Sequence, residues 1–226
     1  MINRVHLTRQ SILDGTARAA LPIDPALAWS DEQILASLDH TLAAAPPGDI
    51  WLFAYGSLMW NPCIEVVERI GVTVQGWHRS YCLWSKIGRG TPSKPGLMLA
   101  LDRGGRCHGI ALRVRREDAR AELEVVWRRE MVAGSYHPRW VSAVSPAGRL
   151  TAIAFTMNRT HPNYAGRLTD EEIAHVIATA RGRFGTCAEY LFDTHRHLVE
   201  IGLVDPRIAR LVRRVQGLVS EPQSKP

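Results

Sequence analysis

Two stretches of the chain hold residue types that can do acid–base and carbonyl chemistry without a metal. The first is Trp51-Leu52-Phe53-Ala54-Tyr55-Gly56-Ser57-Leu58-Met59-Trp60-Asn61-Pro62. It begins as an apolar, aromatic-rich strand, breaks at Tyr-Gly-Ser and closes on the turn-forming Asn-Pro pair. A glycine directly after a buried strand lets the backbone approach a ligand closely and frees amide N–H groups to face an anion or a carbonyl oxygen. An ordinary turn at a strand end would leave the same pattern, so the second stretch weighs more.

That stretch is residues 117–131, which contain neither Pro nor Gly and read as a helix. Ala119, Leu123, Val126 and Trp127 set its apolar face. At about 100° of turn per residue, Glu130 falls between Val126 and Trp127 on that face, whereas Glu122, Glu124, Arg128 and Arg129 project away from it. A buried, unpaired carboxylate is costly and holds its proton more tightly, which suits general acid–base work near neutral pH. The competing reading puts Glu130 on the edge of the face, paired with a neighbouring arginine.

The elements around these residues are strand-rich. Alternating or apolar runs predict strands at 50–55, 70–75, 79–85, 97–101 and 107–114, then the helix, then strands at 140–144 and 150–156. Strands interleaved with one inserted helix fit an α+β barrel better than a regular β–α alternation. Between them, residues 86–96 hold three glycines and two prolines and read as a defined surface loop, either covering a ligand or merely connecting. The end of the chain is helical. A capping box at Thr169 and Glu172 opens one helix to about residue 180, a second spans 189–201, and Asp205-Pro206 opens a third. Residues 221–226 read as a frayed tail. Upstream, residues 1–48 form an extension to a main domain at 49–220. Its capping box at Ser30 and Gln33 opens a helix whose Ile34, Leu35, Leu38 and Leu42 should pack on that domain.

Composition closes off several function classes. The 226 residues carry 28 Lys and Arg against 22 Asp and Glu, a net charge of +6. The arginines are scattered in pairs such as Arg115-Arg116 and Arg213-Arg214, with no basic run interleaved with aromatics, so no nucleic-acid partner is expected. A modest positive field favours a small anionic substrate instead. No apolar run approaches the roughly 18 residues of a membrane span, and the first residues lack a signal-peptide core, so a cytoplasmic protein without membrane contact is expected. Cys63, Cys82, Cys107 and Cys187 are too far apart for a zinc site or redox dithiol. His195 and His197, two apart on a predicted helix, face different ways. No metal and no cofactor are expected, and oligomeric state leaves no signature.

Taken in order, the motifs resemble the ChaC family of γ-glutamylcyclotransferases in its bacterial form. They are Phe53-Ala54-Tyr55-Gly56-Ser57-Leu58-Met59-Trp60-Asn61-Pro62, Gly76-Trp77-His78-Arg79, Gly88-Arg89-Gly90-Thr91-Pro92, Trp127-Arg128-Arg129-Glu130-Met131 with Gly134-Ser135-Tyr136, Asn163-Tyr164-Ala165-Gly166, and Gly185-Thr186-Cys187-Ala188-Glu189-Tyr190-Leu191. The resemblance implies a small mixed β-barrel with surrounding helices. It also implies cleavage of glutathione to 5-oxoproline and cysteinylglycine by the substrate's own α-amine, with no cofactor. Glu130 would then be the acid–base residue, and the run Leu52, Phe53, Ala54, Tyr55, Gly56, Ser57 and Leu58 would hold the γ-glutamyl part. Arg89 is a candidate partner for the α-carboxylate, and Tyr190 either adds a hydroxyl or is a core aromatic. Because the nucleophile belongs to the substrate, neither Cys63 nor Cys187 is needed. Two alternatives are the same ring closure on another γ-glutamyl amino acid or amine, and a non-catalytic regulator linked to cation transport.

Overall fold

The computed structural model describes residues 5–220. Two short helices, α1 (Arg9–Leu13) and α2 (Thr16–Ala19), precede α3 (Asp31–Ala43). The Ser30 hydroxyl caps the Gln33 amide and the Gln33 side chain returns the bond, as the capping box requires. The barrel follows: β1 (Ile50–Ala54), a single 3₁₀ turn at Ser57–Met59, β2 (Glu68–Ser85) and β3 (Gly96–Val114). Helix α4 (Ala119–Glu130), strands β4 (Tyr136–Ser145) and β5 (Gly148–Met157), and helix α5 (Asp170–Thr179) come next. A two-residue ladder, β6 (Arg181–Gly182) with β7 (Gly185–Thr186), leads into α6 (Cys187–Glu200) and α7 (Pro206–Ser220).

The five long strands close in the order β1-β3-β2-β4-β5, and β5 returns to β1 in parallel at Trp51↔Ala152 and Leu52↔Ile153. The expected α+β barrel is therefore present, with one difference in its strands. The four runs predicted at 70–75, 79–85, 97–101 and 107–114 are two continuous strands, paired antiparallel from Glu68↔Arg113 to Ser85↔Gly96. The apparent breaks are bulges: register shifts between Gln75 and Trp77, where Gly76 has φ 80° and Gly104 and Gly105 opposite have φ 96° and 69°. Glycine at positive φ bends the ribbon there, so its two halves line different parts of one barrel wall.

In the core between the barrel and its helices, Leu52, Phe53, Leu99, Leu101, Leu112 and Phe155 are almost fully buried. Helix α4 closes the core with Leu123, Val126 and Trp127, the last edge-on to Phe155 at 4.9 Å between ring centroids. Helix α3 packs on α4 through Ile34 and Leu38, and its Ser37 hydroxyl accepts the Trp127 indole N–H at 3.2 Å. The α6 helix starts at Cys187, two residues before the predicted 189, because Thr186 and Glu189 form a further capping box. The proposed tail at 221–226 lies outside the described residues.

Candidate active site

Helix α4 delivers Glu130 as its last residue, and the cap at Met131 ends the helical backbone there. Arg129, one residue earlier, is still helical, so the wheel fixes where its Cα–Cβ bond points but not where its long side chain ends. The Arg129 side chain folds back so that its Nε lies 2.9 Å from a Glu130 carboxylate oxygen. Both side chains are largely buried, 7% exposed for Arg129 and 17% for Glu130. Arg129 thus does not project away as its place on the wheel suggests. Both readings of Glu130 hold together: it faces the interior and is paired with an arginine. Burial pushes its carboxyl above the ordinary glutamate value, and Arg129 draws it partly back.

Arg129 also reaches the strand-turn motif. One terminal nitrogen donates to the Ser57 hydroxyl at 2.6 Å and the other to the Asn61 carbonyl. Since the Ser57 oxygen accepts from Arg129, its own O–H is left to donate elsewhere. The Gly56 carbonyl accepts the Met59 amide and that of Ser57 accepts Trp60 and Asn61. No hydrogen bond among the described residues uses the amides of Gly56, Ser57 or Leu58 as donors. Tyr190 stands directly over this turn: a Cβ on Gly56 would lie 2.9 Å from the Tyr190 hydroxyl. Burial raises the phenols of Tyr55, Tyr136 and Tyr190, and the charge of Glu130 raises each further, so all three remain protonated near it.

A cavity of about 780 Å³ opens onto these groups. Ser57, Arg89, Glu130 and Tyr190 line it, with Arg129 and Tyr136. Other predicted residues are placed elsewhere. Leu52, Phe53 and Ala54 are fully buried β1 residues whose side chains alternate between the two faces of the strand, and Leu58 is also buried. The Tyr55 hydroxyl is spent on the Phe155 carbonyl at 2.8 Å. These side chains do not line the cavity; of the motif, Ser57, Trp60 and Asn61 do. Arg89 donates to the Thr186 carbonyl at 3.1 Å, sits 3.6 Å from the Glu189 carboxylate and covers the Tyr190 ring. Burial lowers its guanidinium pKa.

Three contributors escaped the sequence reading. Glu122, read as exposed, is buried on α4 and accepts Arg9 at 2.5 Å and the Glu65 amide at 2.8 Å. The N-terminal segment, which shows no motif, supplies Val5, His6, Leu7 and residues 21–25 to the cavity wall. The Val5 amide donates to the Arg183 carbonyl at 2.9 Å, the Leu7 carbonyl accepts Asn61 at 3.2 Å, and the Trp29 amide donates to the Val132 carbonyl at 3.0 Å. The third is Lys86, which lines the cavity from the 86–96 loop. No periodicity marks such residues, because the cavity they share is assembled from segments far apart in the chain.

Among the cysteines, Cys187 is buried with its Sγ at the Leu97 amide and carbonyl, both at 3.2 Å, and burial raises its thiol to about 11. Burial raises Cys82 to about 12. Neither is poised as a thiolate nucleophile. Among the described residues no cluster of three His, Cys, Asp or Glu could hold a metal ion. His197 stacks on Trp60 at 4.9 Å, a packing role.

The fold is thus an α+β closed barrel with a cavity lined by the buried Arg129–Glu130 pair and by Ser57 of the strand-turn motif. The sequence model of ChaC-like proteins matches residues 50–218, and the chain belongs to that family. It is 42% identical over 218 residues to the glutathione-specific γ-glutamylcyclotransferase of Escherichia coli K12, a match covering 95% of this chain and 94% of the other. It is 34% identical over 151 residues to glutathione-specific γ-glutamylcyclotransferase 1 of Mus musculus, covering 64% of this chain and 67% of that one. A crystal structure of the yeast γ-glutamylcyclotransferase specific to glutathione shares the fold, with a TM-score of 0.72 at 20% identity over 78% of this chain and 99% of that one.

Proposed function

We propose that this protein is a γ-glutamylcyclotransferase that converts glutathione to 5-oxoproline and cysteinylglycine. The observation that supports it most is Glu130. A paired but desolvated carboxylate lines a cavity together with Ser57 of the strand-turn motif, in a chain 42% identical to an enzyme of that name.

The α-amine of the γ-glutamyl group attacks its own γ-carbonyl carbon, closing a five-membered lactam. Folding the substrate into that geometry supplies much of the rate, since nucleophile and electrophile share one molecule. At neutral pH the amine is mostly ammonium. Glu130 takes one ammonium proton before the attack and hands it to the departing cysteinyl nitrogen as the C–N bond breaks; the second proton of the ring nitrogen then passes through the same carboxylate to the released amine, which leaves as ammonium. No water is consumed and no enzyme bond is formed. The oxyanion of the tetrahedral intermediate is held by the Gly56, Ser57 and Leu58 amides, with the Ser57 and Tyr190 hydroxyls as further donors. Arg89 remains our candidate for the α-carboxylate, reached across the Tyr190 ring.

Residues 1–48 are best regarded as an extension that completes the cavity of a catalytic domain at 49–220. No helix among the described residues is long and apolar enough to cross a membrane. The four free cysteines fit a reducing compartment, and we place the protein in the cytoplasm on that ground.

Glu130→Gln tests the reading, because it keeps shape and removes acid–base capacity. Wild type is expected to form 5-oxoproline and cysteinylglycine in equal amounts, and the folded variant to be slower by about 10²–10⁴-fold. Equal turnover by both proteins would remove Glu130 from the reaction.

A further inference from the structure

The reaction places the γ-glutamyl half at Glu130 and leaves a dipeptide to occupy the remaining cavity. At about 780 Å³ the cavity is larger than a five-carbon acyl group needs, falling in the upper part of the range for whole small-molecule sites, roughly 300–1,000 Å³. Its remaining walls come from the N-terminal segment and from the loop that begins at Lys86. These two walls are built onto one support, the turn between β6 and β7. The Val5 amide bonds to the Arg183 carbonyl and the Phe184 amide bonds to the Gly88 carbonyl, each at 2.9 Å. Gly182 sits so close to the loop that a Cβ would lie 2.3 Å from the Gly88 carbonyl oxygen.

Five basic side chains line the cavity, and four are already engaged. Arg18 bonds the Trp29 carbonyl and lies 3.3 Å from Asp31. Arg128 pairs with Asp31 at 2.7 Å and Glu124 at 2.8 Å. Arg129 is held by Glu130 and Ser57, and Arg89 by Glu189 and the Thr186 carbonyl. Lys86 has no ion pair or hydrogen bond among the described residues.

A second polar group lines the same cavity without a partner. The side-chain oxygen of Asn163 is buried and accepts no hydrogen bond. Its main chain is fixed: the Asn163 carbonyl accepts the Trp84 amide at 2.8 Å, two residues before Lys86, and its amide donates to His161 Nδ1 at 3.1 Å. His161 Nε2 in turn donates to the Ala133 carbonyl at 2.7 Å. Burial lowers the His161 pKa and the nearby Lys86 charge lowers it further, so this imidazole stays neutral. A free cation and an unsatisfied acceptor lining one cavity are the complement of a carboxylate and an amide N–H on one ligand.

We propose that the cavity bounded by the N-terminal segment and the 86–96 loop is the leaving-group subsite, in which Lys86 pairs with the terminal carboxylate of the departing dipeptide and Asn163 accepts its amide N–H. This rests on the γ-glutamylcyclotransferase reading and adds to it a basis for choosing a γ-glutamyl dipeptide over a γ-glutamyl amine.

The test compares glutathione with its C-terminal glycinamide analogue, on wild type, Lys86→Met and Lys86→Arg. Wild type should prefer glutathione by tenfold or more in kcat/KM. Lys86→Met should lose that preference by slowing on glutathione alone, chiefly through KM, and Lys86→Arg should retain most of it. An equal loss on both substrates would overturn the proposal, because Lys86 would then serve the γ-glutamyl carboxylate or the fold. Unchanged selectivity in Lys86→Met would overturn it as well. Wild-type turnover of neither substrate would instead sink the underlying enzymatic reading.

Discussion

At the scale of single residues, Arg129 and Glu130 act as one unit. An adjacent arginine usually neutralises a carboxylate and lowers its pKa. Here desolvation outweighs the ion pair, so Glu130 keeps a raised pKa with the cation 2.9 Å away. Arg129 therefore sets how far the value rises, and through Ser57 and Asn61 it ties Glu130 to the strand-turn motif, the proposed base to the proposed oxyanion site. This makes it a positioning residue with a readable signature. Glu130 must be ionised to take the ammonium proton, so kcat/KM falls as pH drops through its pKa. In Arg129→Met the lowering contribution is gone, and the acid limb of kcat/KM against pH should move to higher pH, with a smaller kcat on the plateau. An acid limb that stays where it is would leave Arg129 only a packing role. The sequence showed Glu130 from helical spacing alone. It did not show Arg129, because the wheel fixes only the direction of the Cβ, and a long arginine side chain can fold back toward its neighbour.

At the scale of elements, Arg79 links the turn motif to both the barrel and the helical cap. Its side chain, 3% exposed, donates to the Tyr55 carbonyl, the His108 carbonyl and the Asp205 carboxylate, each at 2.7 Å. Asp205 meanwhile caps α7, accepting the Arg207 and Ile208 amides at 3.1 Å. One guanidinium therefore fixes the residue before Gly56, the β2–β3 ribbon and the start of the last helix. Arg79→Met should cost about 3 kcal/mol, the lower end for a broken buried pair because Asp205 keeps some solvent contact. It should also reduce kcat under conditions where the variant is fully folded. Denaturant midpoints and turnover measured in parallel would check both, and a stable variant with unaltered kcat would refute the link. The motif Gly76-Trp77-His78-Arg79 was visible in the sequence as a family signature. Its physical purpose was not, since Tyr55, His108 and Asp205 are brought to Arg79 only by barrel closure. In the same way Gly76 and Gly104-Gly105 read locally as strand ends, while in the closed sheet they are bulges within longer strands.

At the scale of the whole molecule, short-range patterns and long-range consequences separate cleanly. The α+β class, the capped helices and the turn before Ser57 follow from periodicity and local turn chemistry, and all are present in the structure. The cavity does not follow, because its walls come from segments as distant as Val5 and Tyr190. Its electrostatic character has the same origin: five basic side chains against only Asp24 and Glu130 among the acids. With a net charge of +6 on the chain, the field at the cavity mouth should draw an anionic tripeptide inward. Such steering acts before the chemistry and is screened by salt, over about 30 Å at 0.01 M but only about 3 Å at 1 M. Raising ionic strength across that range should therefore lower kcat/KM for glutathione several-fold and leave kcat nearly constant. The paired arginines act at contact distance and resist screening, so the effect should saturate rather than abolish binding. A kcat/KM indifferent to salt would mean that the surface charge serves the fold's solvation alone. A fall in kcat itself would instead place the salt-sensitive groups beside Glu130.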